Sequence, residues 1–178
     1  MTPVLGEVVT LHFDARQVSV WWGPVGDEDR IAVRDGRAMT WLTADTAEEA
    51  ARRAGWRGMG AEDGDPTIGR SSLDVEPAQA WLRGRRPLDP VSALELWNVA
   101  VDVARSTGHP WRDRGRIADR CYDKLFAANV PWVFGRPEYR PRWTATELGC
   151  IREVLNRCVH LLRTELLDPT APLRRGPR

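Results

Sequence analysis

The most apolar pattern in the chain covers residues 88–126 and predicts two buried helices separated by a turn. In the first helix, Asp89 can accept hydrogen bonds from the free N–H groups of the first turn, and Pro90 suits the first helical position. Gly108 and Pro110 are the stop signals. Apolar residues between these limits cover most of the helix circumference, which is typical of a helix buried on several sides.

Four polar residues interrupt this apolar helix at spacings of three, four and three, so they share one face: Glu95, Asn98, Asp102 and Arg105. Two interpretations remain open. The stripe is either the solvent-facing edge of a central helix or a functional polar strip. In the second interpretation Asn98 and Asp102 act together, one helical turn apart.

Two further amphipathic helices are predicted after the Gly-His-Pro turn. The first covers about 115–127, with apolar residues at helical spacing that include Cys121 and Leu125. The second opens with Thr144 and Glu147 in the pattern of a capping box and continues to about Leu167. Together with the helix of residues 89–108 they form a C-terminal group of three larger helices.

The N-terminal part has the alternating and β-branched pattern of strands rather than the spacing of helices. Residues 4–13 and 17–22 predict one hairpin, and residues 30–34 and 38–42 predict a second. The connections are short, so we expect an antiparallel sheet of about four strands. A short helix follows, with Asp45 as its expected N-cap.

These elements predict a single α+β domain over residues 1–167. Residues 1–56 supply the sheet and the short helix, 57–74 a flexible surface loop, and 75–167 the helical part. The loop is rich in Gly and Asp but lacks the context of a phosphate loop or of a calcium loop. Residues 168–178 predict a disordered basic tail.

Composition favours a soluble globular protein and sets limits on its compartment. The chain of 178 residues is 42% hydrophobic and 29% charged, without an apolar run of about 18 residues or a Sec-type signal pattern. Its three cysteines are an odd number with no close pair, which favours a reduced cytoplasmic setting. The net charge of +1 divides into −5 over residues 1–75 and +6 over 76–178. This asymmetry is compatible with an acidic partner or nucleic acid.

The scattered cysteines and histidines do not have the spacing of a zinc site, and no nucleophile motif is present, so we expect no metal, no cofactor and no catalysis. His109 lies at a helix end, where acid–base chemistry could use Asp102 or Asp123 as a partner. Simple capping of the helix carbonyl end by His109 is the alternative. The chain has 25 Arg residues and a single Lys, Lys124. We expect Lys124 to have a specific partner, either Asp102 or a neighbour of Asp123.

Arginine and aromatic residues are concentrated between residues 132 and 143, in a loop rich in Pro and Gly. These residue types dominate interface hot spots and also bind single-stranded nucleic acid. A structural role, in which the aromatic side chains hold the loop on the core, is the alternative. The predicted binding surface consists of Trp132, Arg136, Tyr139, Arg140, Arg142 and Trp143.

Three sequence patterns within residues 88–166 resemble small uncharacterised bacterial proteins, some of which look like immunity or accessory proteins of toxin systems. The patterns are Leu-x-Leu-Trp-Asn-x-x-x-Asp, from Leu94 to Asp102, then Tyr-Asp-Lys-Leu-Phe over 122–126, and Tyr-x-Pro-x-Trp-Thr over 139–144. No catalytic residue can be inferred from this resemblance. Our leading hypothesis is a cytoplasmic protein-interaction module. The alternatives are a nucleic-acid-binding protein that uses the basic second half, and an enzyme with a polar site around Asn98, Asp102 and His109.

Overall fold

The computed structural model describes residues 2–59, 67–135 and 139–167. Its strands are β1 (Leu5–Phe13), β2 (Arg16–Val25), β3 (Glu28–Ile31), β4 (Val33–Arg34), β5 (Arg37–Ala38), β6 (Arg57–Gly58) and β7 (Gly69–Asp74). Strands β3, β2 and β1 pair antiparallel in that order, and β6 and β7 both pair parallel with the other edge of β1. Strands β4 and β5 form a separate small hairpin.

The sheet is therefore mixed, and the prediction of a purely antiparallel sheet is wrong. Both parallel strands lie within residues 57–74, for which the sequence predicted only a loop. Strand β7 has one apolar residue, Leu73. It is an edge strand that is held by backbone hydrogen bonds to β1 rather than by a buried face. Residues 60–66 of the predicted loop lie outside the described residues.

The helices are α1 (Ala44–Arg53), α2 (Glu76–Leu82), α3 (Pro90–Thr107), α4 (Arg116–Asn129) and α5 (Ala145–Leu162). The predicted α+β class with three larger C-terminal helices is confirmed. Asp89 caps α3, Gly108 ends it with φ of 70°, and Thr144 and Glu147 form the capping box of α5. The N-cap of α1 is Thr43, not Asp45 as predicted, because the Thr43 hydroxyl accepts from the Thr46 N–H.

The two faces of the sheet carry two separate hydrophobic clusters, as strand alternation requires. Val9, Val20 and Trp22 belong to the main core, which packs against α2, α3, α4 and α5. Val8 and Trp21 belong to a smaller cluster on the opposite face, which is covered by α1. The adjacent tryptophans of β2, Trp21 and Trp22, thus face opposite ways, as consecutive residues of a strand do.

The tip of the β1–β2 hairpin is held by contacts from two helices that are distant in sequence. Its two residues, Asp14 and Ala15, have φ of 52° and 56°, a left-handed conformation that an alanine rarely adopts. Gln79 exchanges hydrogen bonds with Asp14, while Glu76 accepts from the Ala15 N–H. Arg163, which follows α5, donates to both carboxylate oxygens of Asp14. These contacts stabilise the turn despite the unfavourable left-handed conformation of Ala15.

Replacing Ala15 by Gly is expected to raise the free energy of unfolding by about 0.5–1 kcal/mol, because glycine occupies the left-handed region without the steric penalty of a Cβ. Urea denaturation measures the difference. The same replacement at Ala128, in the last turn of α4, is the control and is expected to lower stability by less than about 1 kcal/mol, the cost in a helix interior. A destabilising effect at both positions would contradict the assignment of strain to Ala15.

Candidate functional site

The predicted binding surface begins on a short 3-10 turn, Pro131–Phe134, that directly follows α4. Trp132 and Val133 are consecutive on this turn, and they are 69% and 63% exposed. Gly135 closes the turn in the left-handed conformation, with φ of 62°. Two large apolar side chains are therefore presented to solvent next to each other on an ordered turn.

The far end of the same segment is anchored to the core. Trp143 is half-buried against the main core, and the Lys124 ammonium lies 5.5 Å from its ring centroid. Lys124 also donates to the Arg142 carbonyl oxygen at 2.9 Å. Trp143 therefore has the structural role that the sequence left open as the alternative.

Lys124 finds its main partner in Glu147, whose Oε1 lies 2.7 Å from Nζ. The prediction of Asp102 or a neighbour of Asp123 is wrong. The capping box turns the Glu147 carboxylate back towards the start of α5, and this end of α5 packs against α4 at Lys124. A lysine can reach the carboxylate, the Arg142 carbonyl and the Trp143 ring at once, which explains a specific need for this side chain.

We define the α4-end surface as Trp132, Val133, Arg140 and Arg142, which are exposed side chains among the described residues of this region. The Lys124 bond to the Arg142 carbonyl places Arg142 beside α4, about 7.5 Å before the helix end at 1.5 Å per residue. The exposed turn begins at that same helix end. Tyr139 is half-buried, and Arg136 lies outside the described residues.

Glu95 and Asn98 of the α3 polar stripe face the sheet and Asp102 is buried, whereas Arg105 is exposed. Asn98 and Glu95 line a cleft of about 260 Å³ between α3 and the strands, together with Trp22, Glu7 and Asp29. The Tyr122 hydroxyl donates to Asn98 Oδ1 at 2.9 Å. Among the described residues, the lining carries three carboxylates and no basic residue, a composition that favours a negative potential.

Burial changes the acidity of two carboxyl groups on this stripe. Asp102 is only 8% exposed, and burial raises its pKa to about 7, with the nearby Asp29 charge acting in the same direction. Arg105, 3.7 Å away, opposes this shift. Burial also raises the pKa of Glu95. At Asp102, the stripe is therefore not a solvent-facing edge of the helix.

The other residues predicted as candidates for acid–base chemistry, His109 and Asp123, lie elsewhere. His109 lines a separate groove of about 590 Å³ together with His160, and Asp123 is exposed on α4. The His109 Nδ1 lies 2.9 Å from the Pro110 carbonyl oxygen, so the ring does not cap the helix carbonyls. The backbone N–H of His109 does so instead, by donating to Ala104. His109 therefore does not join Asn98 and Asp102 in the arrangement that the enzyme hypothesis requires.

The cysteines have the character of packing residues. Burial raises the pKa of Cys121 to about 12, so its thiol stays protonated and is a poor nucleophile. Within the described ranges, no three His, Cys, Asp or Glu side chains lie together as a metal site would require. No helix in the same ranges combines the length and the apolar character needed to cross a membrane.

Sequence reasoning missed one member of the exposed apolar pair. Val133 lies between Trp132 and Phe134 and was not included in the predicted surface, although the run Pro-Trp-Val-Phe-Gly has the Pro and Gly boundaries of a short ordered turn. It also missed Glu7 and Asp29 of the cleft, because residues from separate strands meet there only through sheet pairing.

Comparison of the chain with protein-family models, with curated proteins and with solved structures finds no match.

Proposed function

We propose that this protein is a non-catalytic interaction module that binds a protein partner through the α4-end surface. The observation that carries the proposal is the exposure of Trp132 and Val133 side by side. Covering each of these side chains would contribute about 1.5–3 kcal/mol. Tryptophan is also the residue type most enriched among interface hot spots.

The charges around the pair indicate the chemistry of the partner. Arg140 and Arg142 are exposed, whereas the neighbouring Lys124 is already engaged by Glu147. Guanidinium groups at an interface rim pair best with carboxylates, which they bind through two parallel hydrogen bonds. The partner therefore presents an apolar pocket with acidic residues at its edge. A toxin-type partner would agree with the resemblance of residues 88–166 to immunity-like proteins.

The anchoring of the segment supports binding with little loss of conformational entropy. The contacts of Trp143 and Lys124 hold one end of the loop, and the 3-10 turn holds the other. Side chains presented on ordered backbone lose less freedom on association than side chains on a mobile loop. The surface is in this respect preorganised.

The experiment is native mass spectrometry of the full chain purified gently from its own host, followed by affinity measurement with the partner that it identifies. The double variant Trp132→Ala/Val133→Ala is expected to weaken binding about 100-fold, the equivalent of about 2.7 kcal/mol.

Leu42→Ala is the matched control, since Leu42 is a large apolar side chain that is 86% exposed outside the α4-end surface. It is expected to leave the affinity unchanged. Equal affinity of the double variant and the unmodified protein would refute the surface assignment. Co-purified nucleic acid, with binding that weakens steeply with salt, would replace the protein partner by the nucleic-acid alternative.

A further inference from the structure

A cavity beside the β1–β2 hairpin tip brings together four arginines from separate parts of the chain. Arg16 starts β2, Arg83 and Arg85 follow α2, and Arg163 follows α5. The cavity is open and has a volume of about 560 Å³, within the range of small-molecule sites. None of these residues belongs to the α4-end surface, so the inference is independent of the proposed function.

The acidic residues that line the cavity are already engaged. Asp14 accepts from Arg163 and lies 3.9 Å from Arg83, and the hydrogen bonds from Arg163 hold the pKa of this carboxyl below its usual range. Glu76 accepts from the Ala15 N–H. Among the described residues, the lining has four guanidinium groups and two carboxylates, a net charge of +2.

Two of the four arginines, Arg16 and Arg85, are available to bind an anionic ligand. In the part of the chain that the structure describes, no carboxylate forms an ion pair with Arg16 or Arg85. Both side chains are exposed at the cavity. Arg16 directly follows the clamped Asp14–Ala15 turn, so its backbone is held in place. Uncompensated like charges that share one concavity raise the local concentration of anions.

We propose that this arginine cavity binds a ligand bearing a phosphate or pyrophosphate group. The planar guanidinium fork matches the spacing of phosphate oxygens and binds them through paired charge-assisted hydrogen bonds. A doubly charged phosphate group balances the +2 lining. Arg16 and Arg85 make the direct contacts, while Arg83 and Arg163 remain with Asp14 and shape the wall.

Isothermal titration of the full chain with pyrophosphate, at ionic strength held constant with sodium chloride, tests the proposal. The variant Arg16→Gln/Arg85→Gln is expected to bind at least about tenfold more weakly, since it removes two charge-assisted contacts. Arg116→Gln/Arg120→Gln is the matched control, because it removes the same charge from exposed positions on α4. It is expected to bind as the unmodified protein does.

Absence of binding at millimolar pyrophosphate, or equal weakening in both double variants, would overturn the proposal. Retained circular dichroism and melting temperature show that each variant is folded. Competition with an oligonucleotide that carries or lacks a 5′-phosphate identifies the source of the group. Displacement only by the phosphorylated form indicates a nucleic-acid end, and displacement by neither form indicates a small free phosphate compound.

Discussion

Replacement of Glu147 by Gln is expected to lower the free energy of unfolding by about 2 kcal/mol at pH 7. The Glu147 carboxylate is 4% exposed and accepts from Lys124 and from the backbone N–H of Thr144. The neutral amide leaves the Lys124 charge without its partner and weakens the capping box. Loss of a cap costs about 1 kcal/mol, and the loss of a partly buried ion pair adds to it. Chemical denaturation measures the change.

The effect of Glu147→Gln is expected to depend on pH in a defined direction. The hydrogen bond from Lys124, followed by that from the Thr144 backbone, lowers the pKa of Glu147 from 4.5 to about 2. A carboxyl with a lowered pKa contributes its full stabilisation above the unfolded value and loses it as the pH falls through the folded value. The difference between variant and unmodified protein should therefore shrink from pH 5 to pH 2.

Denaturation curves at pH 7, pH 4 and pH 2.5 test this dependence on charge. Glu153→Gln is the control, because Glu153 lies on the same helix but is exposed. It is expected to change the free energy of unfolding by less than about 0.5 kcal/mol. A loss in Glu147→Gln that is equally large at pH 7 and pH 2.5 would show that the charge of Glu147 is not its source.

Replacement of Asp102 by Asn is expected to act in the opposite direction and to stabilise the protein by about 2 kcal/mol at pH 8. Burial raises the pKa of Asp102 from 3.8 to about 7. The unfolded chain releases this proton near pH 4 and the folded chain only near pH 7, so the folded state is penalised progressively as the pH rises through this interval. The neutral amide removes the penalty. This rise in the pKa corresponds to about 4 kcal/mol, with the opposing charge of Arg105 already included, and screening by solvent reduces the figure.

Chemical denaturation of Asp102→Asn at pH 8 and pH 4 separates this effect from a change in packing. The stabilisation should be present at pH 8 and close to zero at pH 4, where the folded protein already holds the proton. Asp123→Asn, at an exposed position on α4, is the control and should have little effect at either pH. Destabilisation of Asp102→Asn at pH 8 would mean that the negative charge is needed by Arg105 or Arg30.

Most features that depend on a few neighbouring residues were predicted correctly, although the N-cap of α1 is Thr43 rather than Asp45. Asp89, Gly108 and the Thr144–Glu147 box lie at helix ends where the sequence placed them. Capping joins atoms within one helical turn, so its signal is complete in a short segment. The opposite orientation of Trp21 and Trp22 followed in the same way from strand alternation.

Features that depend on contacts between distant segments were not predicted from the sequence. Strand β7 takes its place from pairing with β1, about 60 residues earlier, and its own residues have no strand-like apolar pattern. The partner of Lys124 is Glu147 because α4 and α5 pack together, and the sequence alone offered Asp102 just as well. A side chain finds its nearest opposite charge only after the chain has folded.

The amino-acid sequence determined the α+β class, the N-terminal caps of α3 and α5 and the part of the chain in which arginine and aromatic residues are concentrated, because periodicity and capping are local. Only the tertiary structure decided which of those residues are exposed. It left Trp132 in solvent, attached Trp143 to the core, and turned the α3 stripe towards a cleft. It also assembled the arginine cavity from residues 16, 83, 85 and 163. The burial of a side chain and the compensation of its charge depend on neighbours from distant segments, so only the packed fold could decide them.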